Sequence, residues 1–469
     1  MPRKRWLLGI LLLAPCVVAV GAACFLQQQG VTPRALAPYV ERRSSGHNEM
    51  IEGVGRWTRA ALLRLDRGAP AQPGVLLFPG IGAQAEARVP VADGAEQLVS
   101  TSDEVRRAIA AASPGDVITL LPGVYRFDGA NLEASRPGSA SANIVLRARH
   151  PGTVNLELNL VEGFVVSAPY WRFENLGIRG ICKEHSYCEH AFHVVGAGSH
   201  FSAINNTIVD FNAHFKINGS GGRFPDHGRI EGNTLRNDSV RNTDNPVTLI
   251  DIVAANQWQV KRNLISDFIK GGGDRISYGA FAKGAGSGTV FEQNVLVCES
   301  RLQGAPGQRV GLSLGGGGSG KDYCRDKKCI VEQEQGVIRA NLVAACSDDG
   351  IYLNNAAASK IIHNTLVDTG GILVRYAGSS ADIEGNLVDG DIRSRDGGVL
   401  RLDDNRSTPI ALLYAGYHPV RSLFEHAFQW RGEAPRRSAA GALTPDLCGA
   451  LRPAAPSYGA FEDINPCLK

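Results

Sequence analysis

Short stretches in which apolar and polar residues alternate recur along most of the chain, separated by turn-forming residues. Alternation with a period of two is typical of β-strands that bury one face. The pattern therefore predicts many short strands and few helices. One strand is predicted in each of the stretches 190–196, 213–219, 249–255, 280–286, 311–317, 350–356, 371–377 and 398–404.

An asparagine also recurs in a similar apolar setting, at intervals between 22 residues (Asn364 to Asn386) and 47 residues (Asn294 to Asn341). Short strands at such a period predict a solenoid whose coils stack into parallel sheets. Asparagines at equivalent turns would hydrogen-bond each coil to the next. The predicted fold class is all-β, a parallel β-helix. Its predicted ladder comprises Asn175, Asn206, Asn233, Asn263, Asn294, Asn341, Asn364 and Asn386.

A helix is predicted just before the first coil. Thr101 and Glu104 fit a capping-box pattern, and the residues from Val105 to Ala112 place apolar side chains on one face. Such a helix would cover the open end of the solenoid. The predicted parts of the chain are a signal peptide or membrane anchor (1–26), a stalk or accessory segment (27–93), the β-helix (94–410) and a tail that packs on its outside (411–469).

The N-terminus and the cysteines both indicate export. Basic residues precede an apolar run from Trp6 to Leu26, which is typical of an export signal and long enough to span a bilayer if uncleaved. Eight cysteines follow Cys24, and an even number favours disulfides in an exported chain. Zinc binding is the alternative, but the spacings are not of the CxxC type. We expect a periplasmic or cell-envelope protein, with local disulfides at 182–188 and 324–329 and one joining Cys448 to Cys467.

Composition excludes some classes of protein. The chain has 469 residues, of which 43% are hydrophobic and 20% charged, so a packed core is expected. The formal net charge of +3 is too small to favour nucleic acid as a partner. We expect a monomer.

Longer loops flank one strand of the repeat in the middle of the solenoid. On one side they are 219–228 (GSGGRFPDHG) and 315–329 (GGGGSGKDYCRDKKC), and on the other they precede Ile250, Phe281 and Leu312. Insertions on one face of a repeat protein mark its binding face. The loops therefore predict a groove floored by this strand.

Side-chain alternation predicts which residues form the floor. The expected interior column is Phe192, Phe215, Ile250, Phe281, Leu312, Ile351 and Ile372. The expected outward row is His193, Lys216, Asp251, Ala282, Ser313, Tyr352 and Leu373, joined two residues further along by Asn218, Asn354 and Arg375. Lys283 takes an inward position in this scheme, so a turn at Gly284 would have to send its amine to the rim. A structural salt-bridge ladder is the alternative role for His193, Lys216 and Asp251.

Basic residues in the flanking loops would attract a polyanion. Ordinary solvated loop charges are the alternative explanation. The residues concerned are Arg241, Lys270, Arg275, Arg301 and Arg309.

Residues 100–129 (STSDEVRRAIAAASPGDVITLLPGVYRFDG) and 136–154 (RPGSASANIVLRARHPGTV) resemble the opening of the right-handed parallel β-helix lyases of the chondroitinase B/alginate lyase family. The resemblance implies a right-handed β-helix that cuts uronate-containing polysaccharides by β-elimination, with a lysine base, an arginine acid and calcium. Residues 280–294 (AFAKGAGSGTVFEQN) are similar to that family's lysine-bearing coil, which implies Lys283 as the base. The family's metal-binding glutamates are missing ahead of this lysine, and Arg309 is only a substitute for its arginine.

The leading hypothesis is an exported enzyme that abstracts a proton from an anionic, uronate-containing polysaccharide, as a lyase or an epimerase. A base with a pKa near neutrality is needed, and Lys283, Lys216 and His193 are the candidates, with Arg309 as acid. The expected substrate-binding residues are Asp251, Asn218, Tyr352, Asn354, Arg375 and Arg275. A glycoside hydrolase using Asp348 and Asp349 is one alternative. A non-catalytic envelope protein that binds polysaccharide is the other.

Overall fold

The fold is given by a computed structural model that describes residues 17–18, 20–21, 24–25, 27–28, 31–67, 80–85, 94–316, 319–425, 428–438 and 444–468. Most of the signal or anchor segment predicted at 1–26 lies outside these residues. Among the described residues, no helix has the length and apolar character needed to cross a membrane.

Three long sheets run the length of the body, and all strand pairs within them are parallel. Each coil adds one strand to sheet 1, then one to sheet 2, then one to sheet 3. Sheet 1 comprises Glu96–Val99, Val117–Leu120, Ile144–Ala148, Trp171–Glu174, Ser202–Ile204, Arg229–Glu231, Gln259–Lys261, Val290–Glu292, Val337–Arg339, Ser359–Ile362, Ser380–Glu384 and Val399–Asp403. Sheet 2 comprises Gly123–Asp128, Val154–Asn159, Gly177–Gly180, Thr207–Val209, Thr234–Arg236, Leu264–Ser266, Val295–Val297, Leu342–Ala344, Thr365–Val367, Leu387–Val388 and Arg406–Ser407.

Sheet 3 contains the strands predicted from the alternating stretches. Its strands are Leu132–Ala134, Glu162–Val166, His190–Val195, Ala213–Asn218, Val247–Val253, Ile276–Lys283, Gln308–Leu314, Ile351–Asn354, Gly371–Arg375 and Asp391–Arg395. The prediction for 398–404 was wrong in placement, since Val399–Asp403 belongs to sheet 1. A small fourth sheet of three strands comprises Gly286–Ser287, Gln333–Glu334 and Ala356–Ala357. The all-β parallel β-helix predicted from the repeat is confirmed.

The asparagine ladder follows the turn between sheet 1 and sheet 2. The side-chain Oδ1 of each asparagine accepts the backbone N–H and the Nδ2–H of the asparagine one coil earlier, as Asn294 does from Asn263 at 3.0 Å each. Asn175 was wrongly included, because it lies level with Asn205, whose Nδ2 donates to it at 2.6 Å. The ladder begins at Asn206 and ends at Asn405, which the sequence argument missed.

The helices are α1 (Pro33–Ser44), α2 (Glu49–Arg67), α3 (Ser102–Ala111) and α4 (Ile410–Tyr414), with short 3₁₀ turns at Lys321–Tyr323, Arg421–Leu423 and Asn465–Leu468. Helix α3 is the predicted cap. Its capping box is complete, because Glu104 N donates to Thr101 Oγ1 at 3.2 Å and Thr101 N donates to Glu104 Oε2 at 3.1 Å. Val105 and Ile109 are buried against the first coil.

Helices α1 and α2 pack on the outside of the solenoid. The guanidinium of Arg34 is buried, forms ion pairs with Asp66 and Asp368, and donates to the carbonyl of Cys346 at 3.1 Å. The tail covers the outer face of sheet 2, where Phe424 and Phe461 pack in one cluster with Val295 and other outward residues of that sheet. Four disulfides are formed: the three expected ones at 182–188, 324–329 and 448–467, and a fourth between Cys298 and Cys346.

One buried histidine makes stability depend on pH. Burial lowers the pKa of His214 to about 3, while an unfolded histidine titrates near 6.5. Between these values only the unfolded chain takes up the proton, so acid weakens the fold as pH falls through this window. We expect His214→Asn to flatten the dependence of the unfolding free energy on pH by up to about 1.4 kcal/mol per pH unit. Urea unfolding between pH 4 and 7 would measure this.

The exposed His150 offers the matched control. His150→Asn should leave the slope of unfolding free energy against pH unchanged. An equal slope in wild type and His214→Asn would contradict the assignment.

Candidate functional site

The outer face of sheet 3 is bordered by the longer loops on both sides, and we call it the trough. Its central row consists of the predicted outward residues in every coil but one. The parallel register places His193 beside Lys216 and Lys216 beside Asp251. The row continues through Phe281, Ser313, Tyr352 and Leu373.

The prediction for strand Ile276–Lys283 was wrong by one residue. Ala280, not Phe281, aligns with Ile250 in the interior column, and Ala282 lies inside between Ile252 and Leu314. Because a shift of one residue turns every side chain of a strand over, Phe281 and Lys283 both face outward. No turn at Gly284 is therefore needed to redirect the amine of Lys283 out of the core.

The central row is the second of three parallel rows: the first lies two residues earlier on each strand, and the third, which contains Lys283, lies two residues later. Lys283 is paired with Val253 of the preceding coil, and Val253 is level with Asn218 of the coil before that. Further along the solenoid, Asn354 and Arg375 are directly paired members of the same row. The predicted alignment of Asn218, Asn354 and Arg375 is thus observed, with Lys283 between them.

A cavity of about 570 Å³ opens where the second and third rows meet the loops after sheet 3. Lys216, Asn218 and Lys283 line its floor, and residues 219–224 and 319–327 line its sides. The disulfide between Cys324 and Cys329 closes one of these loops into a compact wall. The loop insertions noticed in the sequence thus build a pocket around two lysines.

The two lysines have different surroundings. Lys216 Nζ lies 2.6 Å from Asp251 Oδ2, which matches its charge. Lys283 is half-buried, and its Nζ lies 4.5 Å from the centre of the Phe281 ring. Burial lowers the pKa of Lys283; Asp251 opposes this effect and the positive charge of Lys216 adds to it. Of the two, Lys283 is the better candidate for an amine that loses its proton.

His193 is held from both sides. Its Nε2 lies 2.8 Å from Asn218 Oδ1, and its Nδ1 lies 2.7 Å from Glu162 Oε1. His190 also faces Glu162, with 3.4 Å between Nδ1 and the same oxygen. The sequence did not indicate Glu162, because strand Glu162–Val166 was not recognised as part of the trough. His190 lies in a predicted strand, but alternation assigned only His193 to the floor.

Tyr352, Asn354 and Arg375 form a network of their own. Asn354 Nδ2 donates to Tyr352 Oη at 2.9 Å, and Arg375 Nε pairs with Asp396 Oδ2 at 2.6 Å. Burial raises the pKa of Tyr352, while Arg375 acts against the rise. They do not line the cavity that contains Lys283, so the structure places them further along the floor.

Arg309 and Arg275 are not brought to Lys283. Arg309 is 1% exposed and donates to the carbonyls of Gly307 (2.7 Å) and Pro306 (3.2 Å). Arg275 is exposed and immediately precedes strand Ile276–Lys283, whose eight residues extend about 26 Å at 3.3 Å per residue. The other basic residues of the flanking loops have local partners. Arg241 donates a hydrogen bond to Asn212 Oδ1, Lys270 forms an ion pair with Asp274, and Arg301 forms one with Asp238.

Asp348 and Asp349, the alternative catalytic pair, lie at the opposite edge of the trough from Lys283. Asp349 Oδ1 is 2.6 Å from Arg393 Nη2, and Asp348 Oδ2 accepts from Gln308 Nε2 at 3.0 Å. Burial and the neighbouring Asp349 raise the pKa of Asp348. These partners hold the carboxylates at the turn before strand Ile351–Asn354.

Comparison with known proteins supports the fold. A family model described as "Right handed beta helix region" matches residues 190–388. The structure of pectate lyase Pel9A is similar with a TM-score of 0.51 and 16% identity, covering 76% of this chain and 90% of that one. An alginate lyase from Paenibacillus sp. str. FPU-7 has a TM-score of 0.41 and 15% identity, covering 66% of this chain and 99% of that one.

A GH87 α-1,3-glucanase from Streptomyces thermodiastaticus strain HF3-3 has a TM-score of 0.39 and 13% identity, covering 69% of this chain and 70% of that one. No curated protein matches the chain. The family model and the likeness to Pel9A establish the right-handed β-helix fold, and the chemistry has to be argued from this chain's own residues.

Proposed function

We propose that this protein acts on a uronate-containing polysaccharide and removes the proton next to the uronate carboxylate, as a lyase or an epimerase. The observation that carries the proposal is the amine of Lys283 in its cavity, where burial and Lys216 lower its pKa. A lysine with a lowered pKa is neutral in a larger fraction of molecules and serves as a general base.

The chemistry assigns roles to the lysines. Neutral Lys283 Nζ takes the proton from the carbon beside the carboxylate, and the electron pair left on that carbon is delocalised onto the carboxylate. Lys216 supplies a positive charge in the same cavity, and Asn218 supplies an amide N–H donor. In elimination, the pair then forms a carbon–carbon double bond while the bond to the glycosidic oxygen breaks, and that oxygen takes up a proton from water. In epimerisation, a proton returns to the opposite face.

The residues around Lys283 do not fit the calcium ion that the family resemblance implies. Calcium takes six to eight oxygen ligands. The carboxylates that act on Lys283 are Asp251, which is held by Lys216, and Glu332, whose Oε2 accepts the Gly284 amide at 2.8 Å. Lys327 adds a third ammonium group to the lining. The proposed proton abstraction therefore uses no metal ion at this position.

The test is solvent deuterium exchange. The full-length protein is incubated in D₂O with a panel of uronate polysaccharides, and NMR follows deuterium at the uronate carbon beside the carboxylate. Ultraviolet absorbance of unsaturated products is recorded in parallel. For a lyase we expect absorbance of unsaturated product with at least one polysaccharide, because that product carries no hydrogen on this carbon, and for an epimerase we expect deuterium on this carbon without absorbance.

The panel also separates the alternatives. New reducing ends without exchange or absorbance would indicate a hydrolase and contradict the proposal. Binding without deuterium exchange or absorbance, unchanged in Lys283→Ala, would indicate a non-catalytic polysaccharide-binding protein and contradict it equally.

A further inference from the structure

Two histidines and a glutamate converge on the trough near its α3 end. His190 and His193 lie on one strand of sheet 3, and Glu162 lies on the neighbouring strand, where it pairs directly with His190. The Nδ1 atoms of both histidines face the same carboxylate oxygen, at 3.4 Å and 2.7 Å. One ligand atom from each of the three residues lies within 4.8 Å of the others.

The hydrogen bonds of Asn218 fix the tautomer of His193. Asn218 Nδ2 donates to the carbonyl of Gly219 at 3.1 Å, so its Oδ1 is the atom that faces His193 Nε2. Oδ1 only accepts, and therefore Nε2 carries the proton. A neutral His193 then presents a lone pair on Nδ1 to the carboxylate of Glu162. Two lone pairs meeting at 2.7 Å repel unless a cation lies between them or the ring takes up a second proton.

The surrounding charges favour a cation. Glu133 lies two coils before His193 in the same row, and Glu189 Oε1 lies 3.9 Å from His190 Nε2. Three carboxylates therefore surround the two imidazoles. Lys216 lies beside His193 in the next coil, but its ammonium is already matched by Asp251.

We propose that Glu162, His190 and His193 bind a divalent transition-metal ion of the zinc type. Two imidazole nitrogens and one carboxylate are ligands that zinc favours and calcium does not. Metal–ligand bonds of about 2.1 Å at tetrahedral angles place ligand atoms about 3.4 Å apart. His190 and Glu162 already have this spacing, and the 2.7 Å between His193 Nδ1 and Glu162 Oε1 has to widen by about 0.7 Å.

Asn218 acts as a positioning residue in this site. Metal-ligating histidines commonly donate their other ring N–H to a fixed acceptor, which orients the ring. The three proposed ligands do not line the cavity of Lys283, although Asn218 borders both sites, and the metal proposal does not depend on the proposed function. A bound ion would leave its remaining coordination position facing the trough.

The test is metal titration of the full chain, stripped with a chelator and free of a histidine tag. It carries Cys16→Ser and Cys24→Ser, so that the two cysteines outside the four disulfides cannot bind the metal. Calorimetry with Zn²⁺ should give one site per chain, and Co²⁺ should give the visible absorption of a tetrahedral complex. We expect His190→Ala, His193→Ala and Glu162→Gln each to weaken Zn²⁺ binding at least about a hundred-fold. Asn218→Ala should weaken it about 10- to 100-fold.

The matched control is His200→Ala, since His200 and His227 are also neighbouring imidazoles, with 5.0 Å between ring centres, but no glutamate converges on them. It should bind Zn²⁺ as wild type does. Circular dichroism and melting in the presence of chelator show which variants are folded, and Glu162→Gln, which keeps the shape of the side chain, replaces any that are not. Absence of Zn²⁺ and Co²⁺ binding, unchanged binding in His193→Ala, or Ca²⁺ binding as tightly as Zn²⁺ would overturn the proposal.

Discussion

Lys283→Ala is expected to reduce the turnover number at least about a thousand-fold, with a much smaller change in KM, because the variant loses the group that accepts the proton. Lys283→Arg should be equally impaired. Arginine keeps the positive charge, but it does not release its proton at accessible pH. Rates of deuterium exchange, or of unsaturated product formation, measured on the best polysaccharide of the panel would provide these values.

Lys360 supplies the matched control, since it is an exposed lysine on sheet 1, away from the trough. Lys360→Ala should retain the wild-type rate. If Lys283→Arg also retained it, Lys283 would act only as a charge and the base would have to be another residue.

The pH profile gives a second readout of the same residue. The rate should rise with pH as Lys283 loses its proton, with a midpoint below the ordinary lysine value because burial and Lys216 lower its pKa. Lys216→Met removes the like charge and frees Asp251, and both changes raise the pKa of Lys283. The rising limb should therefore move to higher pH in Lys216→Met. A limb that stayed in place would show that another group controls the rate.

Most of the fold was predictable because it is written in local patterns that repeat. Each coil carries the same strand alternation and the same turn asparagine. A chance match to the pattern in one coil is therefore recognised because the neighbouring coils do not repeat it. The failures occurred where a local pattern was ambiguous. Asn175 and Asn205 occupy one turn position and Asn206 the next, and only the pairing of coils distinguishes them.

The site was predictable only in part, for the same physical reason. In the stretch AFAK, the large apolar side chain of Phe281 suggests an inward position. In the structure the inward positions are occupied by Ala280 and Ala282 instead. Arg309 looked available in the sequence, whereas the folded loop turns it toward the carbonyls of Pro306 and Gly307. Neither outcome follows from alternation, because both depend on how neighbouring coils fill space.

Asn294→Leu is expected to destabilise the fold by on the order of 4–6 kcal/mol, a large share of the roughly 5–15 kcal/mol typical of folded domains. Asn294 is fully buried, and its Nδ2 donates to the carbonyl of Val260 at 2.8 Å and to Asn341 Oδ1 at 3.0 Å. Its Oδ1 accepts the N–H and Nδ2–H groups of Asn263. Leucine leaves these buried donors and the Val260 carbonyl without partners or water, at about 1–3 kcal/mol each.

The same substitution at the end of the ladder isolates burial as the cause. Asn405 makes the equivalent bonds to Asn386 (2.9 Å) and to the carbonyl of Ile383 (2.7 Å), but it is half-exposed. Water replaces part of what Asn405→Leu removes, so a loss of only about 1–2 kcal/mol is expected from urea unfolding followed by circular dichroism. Equal losses at Asn294 and Asn405 would mean that the coils are held together by apolar packing, with the ladder contributing little. A large difference would identify the buried asparagines as the connection that keeps successive coils, and therefore the three rows of the trough, in register.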